Sequence, residues 1–454
     1  MSDLPIVQAP LDPGALSVLK DQAAFVLEEA ARQGASEAEV GMSVSQGLSV
    51  TVRLGEVETL EFHRDKGVSV TVFQGQRKGT ASSSDDSPQS LREAVAAALA
   101  IARHTGEDPC AGLAEPAQLE SDLPDLDLYH PWELGSRAAI DLALACEAAG
   151  RGDPRIVNSE GASVSTGDTL RVYANSAGFM AGYPSSSHSL SCVLVAEQDG
   201  AMQRDYWYDA GRFPARLASA ESIGARAAER VLARLGAGRM STGDMPVLFA
   251  PEVAAGLIGH FLGAIQGGAL YRRASFLLDR LGESLFPEWM QIAERPRLPG
   301  GNASAPFDSD GLATRDQQFV VDGALKGYAL GLYAARRLKM SPTGNGGGAR
   351  NVRVADTGQS LPQLLQQMGN GVMITEVMGS GVNQVTGDYS RGAAGFRVRD
   401  GVLAEPVEEF TIAGNLIDMF RSLSGAGTDR DPRGNVDCGS LLIDRMKVAG
   451  NQSS

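Results

Sequence analysis

The stretch Val253-Ala-Ala-Gly-Leu-Ile-Gly-His-Phe-Leu-Gly-Ala-Ile-Gln-Gly-Gly268 constrains this chain more than any other. It follows a short apolar strand, Pro246-Val-Leu-Phe-Ala250, and reads as a helix with small and apolar residues on most faces. One histidine, His260, sits in its middle. A zinc-dependent hydrolase commonly places two His and a Glu on one helix, so that two imidazoles bind the metal and the carboxylate activates its water. This helix offers one imidazole and no internal carboxylate. It has the setting of a metal site without the ligands.

Around that helix the periodicity gives an α+β chain. Leu16, Leu19, Ala23, Val26, Leu27 and Ala30 share one face of a helix over 15–33, which Gly34 stops. Three strands with period-two alternation follow, at Val40/Met42/Val44, Leu48/Val50/Val52 and Val68/Val70/Val72, with turns at Gln46-Gly47 and Leu54-Gly55. Ser87-Pro88 starts a second helix that runs to about His104. A segment rich in Pro, Asp, Glu and Leu, from Glu115 to Trp132, marks a connection. Beyond it come a helix near 138–149 and strands at 156–165, 169–174 and 189–197, with Thr166-Gly-Asp168 as the hairpin turn between the first two. An alanine-rich helix at 215–235 precedes the opening strand and helix. The remainder is rich in glycine and turns, with strands at Gln317–Val321, Gly371–Val377, Gly395–Val398 and Ser440–Val448. Asp322-Gly323 and Asp400-Gly401 sit where antiparallel hairpins turn.

The expected architecture is an N-terminal helix and antiparallel-sheet module over 1–115. Residues 116–235 form a connecting segment and a middle strand-and-helix region that completes this part. A larger, mainly antiparallel β domain with flanking helices, over 236–454, carries the metal-motif helix. The 454 residues suffice for such cores. A formal net charge of -15 argues against a nucleic-acid surface, which needs clustered Lys and Arg. The four cysteines (Cys110, Cys146, Cys192, Cys438) are far apart and read as reduced thiols. Met1-Ser-Asp-Leu-Pro-Ile has neither the basic nor the apolar part of a signal peptide, and no run of about 18 apolar residues could span a bilayer. The expected location is therefore the cytoplasm.

No local motif supplies chemistry. Ser341-Pro-Thr-Gly-Asn-Gly-Gly-Gly-Ala-Arg350 lacks the Lys and Ser or Thr of a phosphate loop, and reads as a flexible or substrate-contacting loop. The five histidines never fall at metal-ligand spacing. His260 is then either a packed helical residue or a ligand assembled with distant groups such as Cys438. Cys438, in a turn before the last strand, is either a structural thiol or a nucleophile needing a nearby base. Glu376-Val-Met-Gly-Ser-Gly381 and Gly387-Asp-Tyr-Ser-Arg-Gly392 would let an extended peptide approach the backbone, and turn chemistry explains them as well.

Several segments in order resemble the TldD/PmbA family, on its PmbA (TldE) branch. They are Pro306-Phe-Asp-Ser-Asp-Gly311, Leu325-Lys-Gly-Tyr328, Ser341-Pro-Thr-Gly-Asn345, Gly387-Asp-Tyr-Ser390, Pro406-Val-Glu-Glu-Phe-Thr-Ile-Ala-Gly-Asn415 and the Cys438-Gly439 turn. Leu48-Ser-Val-Thr-Val-Arg53 and Leu91-Arg-Glu-Ala-Val95 add to them, so the resemblance runs from about residue 20 to the C-terminus. In the TldD branch the corresponding helix carries HExxxH, and a later Cys completes the metal site. Placed here by Gly263 and Gly268, the motif's first His falls on Gly259, its Glu on His260 and its second His on Ala264, while Cys438 matches the third ligand. Gly259 and Ala264 cannot bind a metal, and one thiolate does not make a zinc site.

The resemblance therefore implies a non-catalytic PmbA/TldE-type subunit of a TldD/TldE metalloprotease, acting on unfolded or leader peptides threaded into an internal chamber. No cofactor is expected in this chain, zinc being carried by a TldD-type partner. The implied partners are that subunit in a heterodimer, a second copy when the chain is alone, and peptide substrates held by loops around Asn345, Ser380 and Tyr389. The family's other label, modulator of DNA gyrase, implies no direct nucleic-acid binding, and no membrane partner is expected. The alternatives are a self-sufficient metal-dependent peptidase and a peptide-binding or regulatory protein without a protease partner.

Overall fold

The computed structural model describes residues 9–450, so the N-terminal hexapeptide lies outside the described residues. The first layer is one six-stranded antiparallel sheet of order β3-β2-β1-β4-β5-β6. Its strands are β1 (Glu37–Arg53), β2 (Glu56–Gln74), β3 (Arg77–Ser83), β4 (Ile156–Asn175), β5 (Met180–Gln198) and β6 (Ala201–Gly211). Four helices cover one face: α1 (Leu16–Arg32), α2 (Pro88–His104), α3 (Ser136–Gly150) and α4 (Ala220–Ala233). The α2 N-terminus is built as the sequence indicates, with Pro88 in the first turn and the Ser87 side chain accepting the Ser90 N–H.

Two of the expected turns do not exist. β1 runs unbroken through Gln46-Gly47, and β4 runs unbroken through Thr166-Gly-Asp168. The reason is a polar seam. The helix-facing side of the sheet carries two separate apolar clusters, one under α1 and α2 and one under α3 and α4. Gln46, Thr166, Asp168 and His188 are buried polar residues of the same sheet. Gln46 stands opposite Asp168 and Leu48 opposite Thr166, so the alternation breaks at the same level in both strands. Gln46 donates to the Ala9 carbonyl at 2.7 Å. The His130 carbonyl can only accept from His188 Nε2 (2.8 Å), so the Thr166 hydroxyl donates to His188 Nδ1 (2.8 Å). Gly47 belongs to this crossing and not to a turn, because a Cβ there would lie 2.6 Å from the Thr166 carbonyl oxygen. The true turns have left-handed residues: Leu54-Gly55 and Asp199-Gly200 both have positive φ, as type I′ hairpins require.

The helices also meet closely. A Cβ on Gly224 of α4 would stand 1.9 Å from the Cys146 carbonyl oxygen of α3. Gly224→Ala is therefore expected to cost about 1–3 kcal/mol through overpacking. A urea midpoint lowered with unchanged slope would register it, and an unchanged midpoint would disprove this contact.

The second part holds two sheets. One is mixed, of order β14-β13-β12-β7-β17-β15, and the other is small, of order β10-β9-β8-β11-β16. The strands are β7 (Gly243–Phe249), β8 (Ile292–Glu294), β9 (Gln317–Val321), β10 (Ala324–Leu325), β11 (Val352–Val354), β12 (Gly371–Met378), β13 (Asp388–Arg399), β14 (Val402–Asn415), β15 (Leu423–Ala426), β16 (Val436–Asp437) and β17 (Leu441–Gly450). The hairpins at Asp322-Gly323 and Asp400-Gly401 turn where the sequence places them. Among the strands of the described residues only β7–β12 and β11–β16 pair in parallel, so the α+β class holds. The opening helix is α5 (Pro251–Ala264), which leaves β7 through Ala250 with Pro251 in its first turn. Phe261, Ile258, Leu257 and Ala254 bury it in the largest core. Among the described residues no helix is long and apolar enough to cross a membrane.

Candidate functional site

The faces of α5 decide what it can bind. Gly256, Gly259 and Gly263 line a cavity of about 400 Å³ together with Tyr208, Asp431 and Asn435. Nothing stands within 4 Å of where a Cβ of Gly256 or Gly259 would be. Ala264 points the other way, fully buried, and its carbonyl accepts the Ser275 hydroxyl at 2.6 Å. His260 lies between these faces, half-buried, edge-on to the Tyr389 ring at 6.0 Å. Burial, and then the charge of Arg391, lowers its pKa, so the imidazole is neutral at pH 7.

Cys438 is fully buried and its thiol contacts the Gly439 carbonyl at 3.1 Å. Burial pushes the thiol up to about 12, so without a bound cation it is protonated at neutral pH and is no thiolate nucleophile. Among the described residues no three His, Cys, Asp or Glu side chains gather to hold a metal ion. The residues at Gly259, His260, Ala264 and Cys438 do not fit a zinc ion, and no step can be routed through one here.

The glycine-rich segment at 341–350 is anchored, not loose. Asn345 is 4% exposed. Its amide donates to both oxygens of Glu294 at 2.9 Å, and the Arg350 N–H adds a bond of 2.6 Å. Gln317 donates to Glu294 as well, at 3.1 Å. Burial nevertheless lifts the Glu294 carboxyl to about 7, against the pull of these donors. Asp308 supports the same segment by accepting the Gly346 N–H at 2.8 Å, and burial lifts it to about 6. The flanking Gly347 and Arg350 reach a second cavity. Ser380 is exposed beyond β12, while Tyr389 is 3% exposed, with burial pushing its hydroxyl up to about 12. Of the three loop residues expected to touch a peptide, Ser380 alone lies on the surface.

That second cavity, about 1470 Å³, is a feature the sequence did not announce. One wall is the face of the N-terminal sheet opposite the helices, where Ser43, Ser45, Ser69, Ser185 and Ser187 stand with Gly41 and Gly67. The other wall is residues 302–309 with Gly347 and Arg350. The clue in the sequence was present: the positions between the buried residues of β1 are Glu, Gly, Ser and Thr, which suit a wetted wall.

Three family models match the chain in order. They are PmbA/TldA metallopeptidase domain 1 over residues 38–102, the central domain over 129–235 and the C-terminal domain over 242–450. The Metalloprotease PmbA of Escherichia coli O157:H7 is 48% identical, over 95% of this chain and 96% of that protein. A crystal structure from Bacteroides thetaiotaomicron, described as a candidate modulator of DNA gyrase, superposes with a TM-score of 0.90 at 26% identity, covering 95% of this chain and 99% of the other. TldE from Thermococcus kodakarensis shares the fold, with a TM-score of 0.82 at 20% identity over 95% of this chain and 100% of that one.

Proposed function

Because this chain belongs to the PmbA/TldA metallopeptidase family, and to its PmbA side, we propose that it is the subunit of a two-chain peptidase that receives the peptide and brings no metal. The observation that carries this reading is α5: its cavity-facing glycines leave room where a metal helix would place an imidazole, and Ala264 faces the core. A TldD-type chain would supply zinc and the catalytic carboxylate. This chain would supply walls. The serine-lined cavity is wide and offers hydroxyls to an extended peptide of varied sequence, since small hydroxyls hydrogen-bond a backbone without selecting side chains. In the absence of the partner, a second copy takes its place in an isologous pair. The cytoplasm is the compartment that fits reduced cysteines.

The decisive assay compares peptidase rates of this chain, of a TldD-type partner and of their mixture. The chain alone is expected to be inactive. The mixture is expected to exceed the partner by about tenfold or more, the equivalent of about 1.4 kcal/mol of transition-state stabilisation. A mixture no faster than the partner would leave a binding protein without a protease role. Stoichiometric zinc in this chain, lost in Cys438→Ala, would establish instead a self-sufficient metal enzyme.

A further inference from the structure

Three arginines that line the large cavity form no ion pair among the described residues, while Arg433 there pairs with Asp431. Arg171 lies on β4, paired across the sheet with Ser43 of β1 and Tyr183 of β5, and its side chain lines the cavity. Among the described residues its side chain makes no hydrogen bond and no ion pair. Arg212 and Arg350 line the same space, and their guanidinium groups rest on neutral carbonyls. Arg212 donates to Gly301, Ser186 and Asn302, and Arg350 donates to Gly348 and Gly346. A carbonyl satisfies a donor but leaves the charge in place.

The carboxyl groups that border the cavity are held back from it. Asp308 is 2% exposed and spends its oxygens on the N–H groups of Asp310, Leu312 and Gly346. Asp168 is 8% exposed, in the polar seam. Glu39 accepts the Tyr173 hydroxyl at 2.8 Å. Burial raises the pKa of all three, which weakens their hold on negative charge. The group left facing the open space is the planar fork of Arg171, with the Ser43 and Ser185 hydroxyls on its neighbouring strands.

We propose that Arg171 anchors a carboxylate of the peptide held in this cavity, through a charge-assisted, two-pronged contact supplemented by the serine hydroxyls. The inference rests on the reading of the cavity as a peptide chamber, and adds a fixed contact to it: a carboxylate of the bound peptide lies against β4. The same chemistry could come from a C-terminal carboxylate or from an acidic side chain within the peptide.

Fluorescein-labelled Gly-Ser decapeptides separate these sources. One carries a free C-terminal carboxylate, one a C-terminal amide, and one an amide together with an internal Glu. Their binding to the full chain is read by anisotropy. The acid form is expected to bind about tenfold tighter than the plain amide, as a charge-assisted contact warrants. Arg171→Gln abolishes that preference, and Arg171→Lys retains part of it. Melting of Arg171→Gln should match the parent, since the side chain bonds to nothing. Preference for the terminal acid alone identifies the C-terminus as the ligand, and an equal preference for the Glu peptide identifies any carboxylate. Equal binding of acid and plain amide, or a preference surviving in Arg171→Gln, overturns the anchor and leaves the chamber. Failure of all three peptides to bind overturns both.

Discussion

Ala264→His is expected to destabilise the chain by about 4 kcal/mol, whereas Gly259→His is expected to leave its stability nearly unchanged. Both substitutions restore a His that the metal-binding branch places on this helix, yet their surroundings differ completely. At Ala264 the imidazole would enter a closed core, overpacking it and burying nitrogens without partners. At Gly259 it would enter the open cavity, where nothing obstructs the first carbon. The triple variant Gly259→His/His260→Glu/Ala264→His is therefore expected to bind no stoichiometric zinc. Denaturation midpoints and metal content of the three proteins check this. A stable triple variant with one zinc per chain would mean that α5 can turn to bring positions 259 and 264 together.

Glu294→Gln is expected to flatten the pH dependence of stability. Burial lifts the Glu294 carboxyl from 4.5 to about 7, so the folded chain retains a proton that the unfolded chain has released. The stability this gives is complete below about pH 4.5 and is lost as pH rises through about 7. The share is on the order of 3 kcal/mol, for a carboxyl held at about 7 in place of 4.5. Urea midpoints at pH ~5 and ~8 should differ more in the parent than in Glu294→Gln. Equal differences would remove Glu294 as the cause. Glu294→Ala should be worse at either pH, since it strips the acceptor from Asn345, Gln317 and the Arg350 N–H within a closed site.

What could be read from the sequence was what is local. Asp322-Gly323 and Asp400-Gly401 specify their hairpins by backbone chemistry alone, and Ser87-Pro88 specifies a helix start. The missing ligands on α5 were equally visible, because an absent side chain needs no tertiary information. The seam was misread because Gln46-Gly47 and Gly167-Asp168 have turn composition, and only their alignment across β1 and β4 explains them as a crossing between two cores. The edge strands β3 and β6 leave little trace in the sequence because their residues are mostly half-exposed and carry little alternation. Glu294 and Arg171 gave no signal, since a single charge at the end or in the middle of a strand has no pattern. Their roles arise from what the fold brings opposite them.

The pairing of β1 with β4 has a consequence for how the protein is made. Thr51 and Ser163, whose hydroxyls meet at 2.9 Å, are separated by 112 positions in the chain. When β1, β2 and β3 leave the ribosome, Val50 and Val52 have no cover, because α3, β4 and α4 have not yet been synthesised. The emerging N-terminal segment thus carries a half-finished sheet with one greasy patch shielded by α1 and α2 and a second patch bare. Until about residue 230 is translated, that bare patch is a natural target for nascent-chain chaperones.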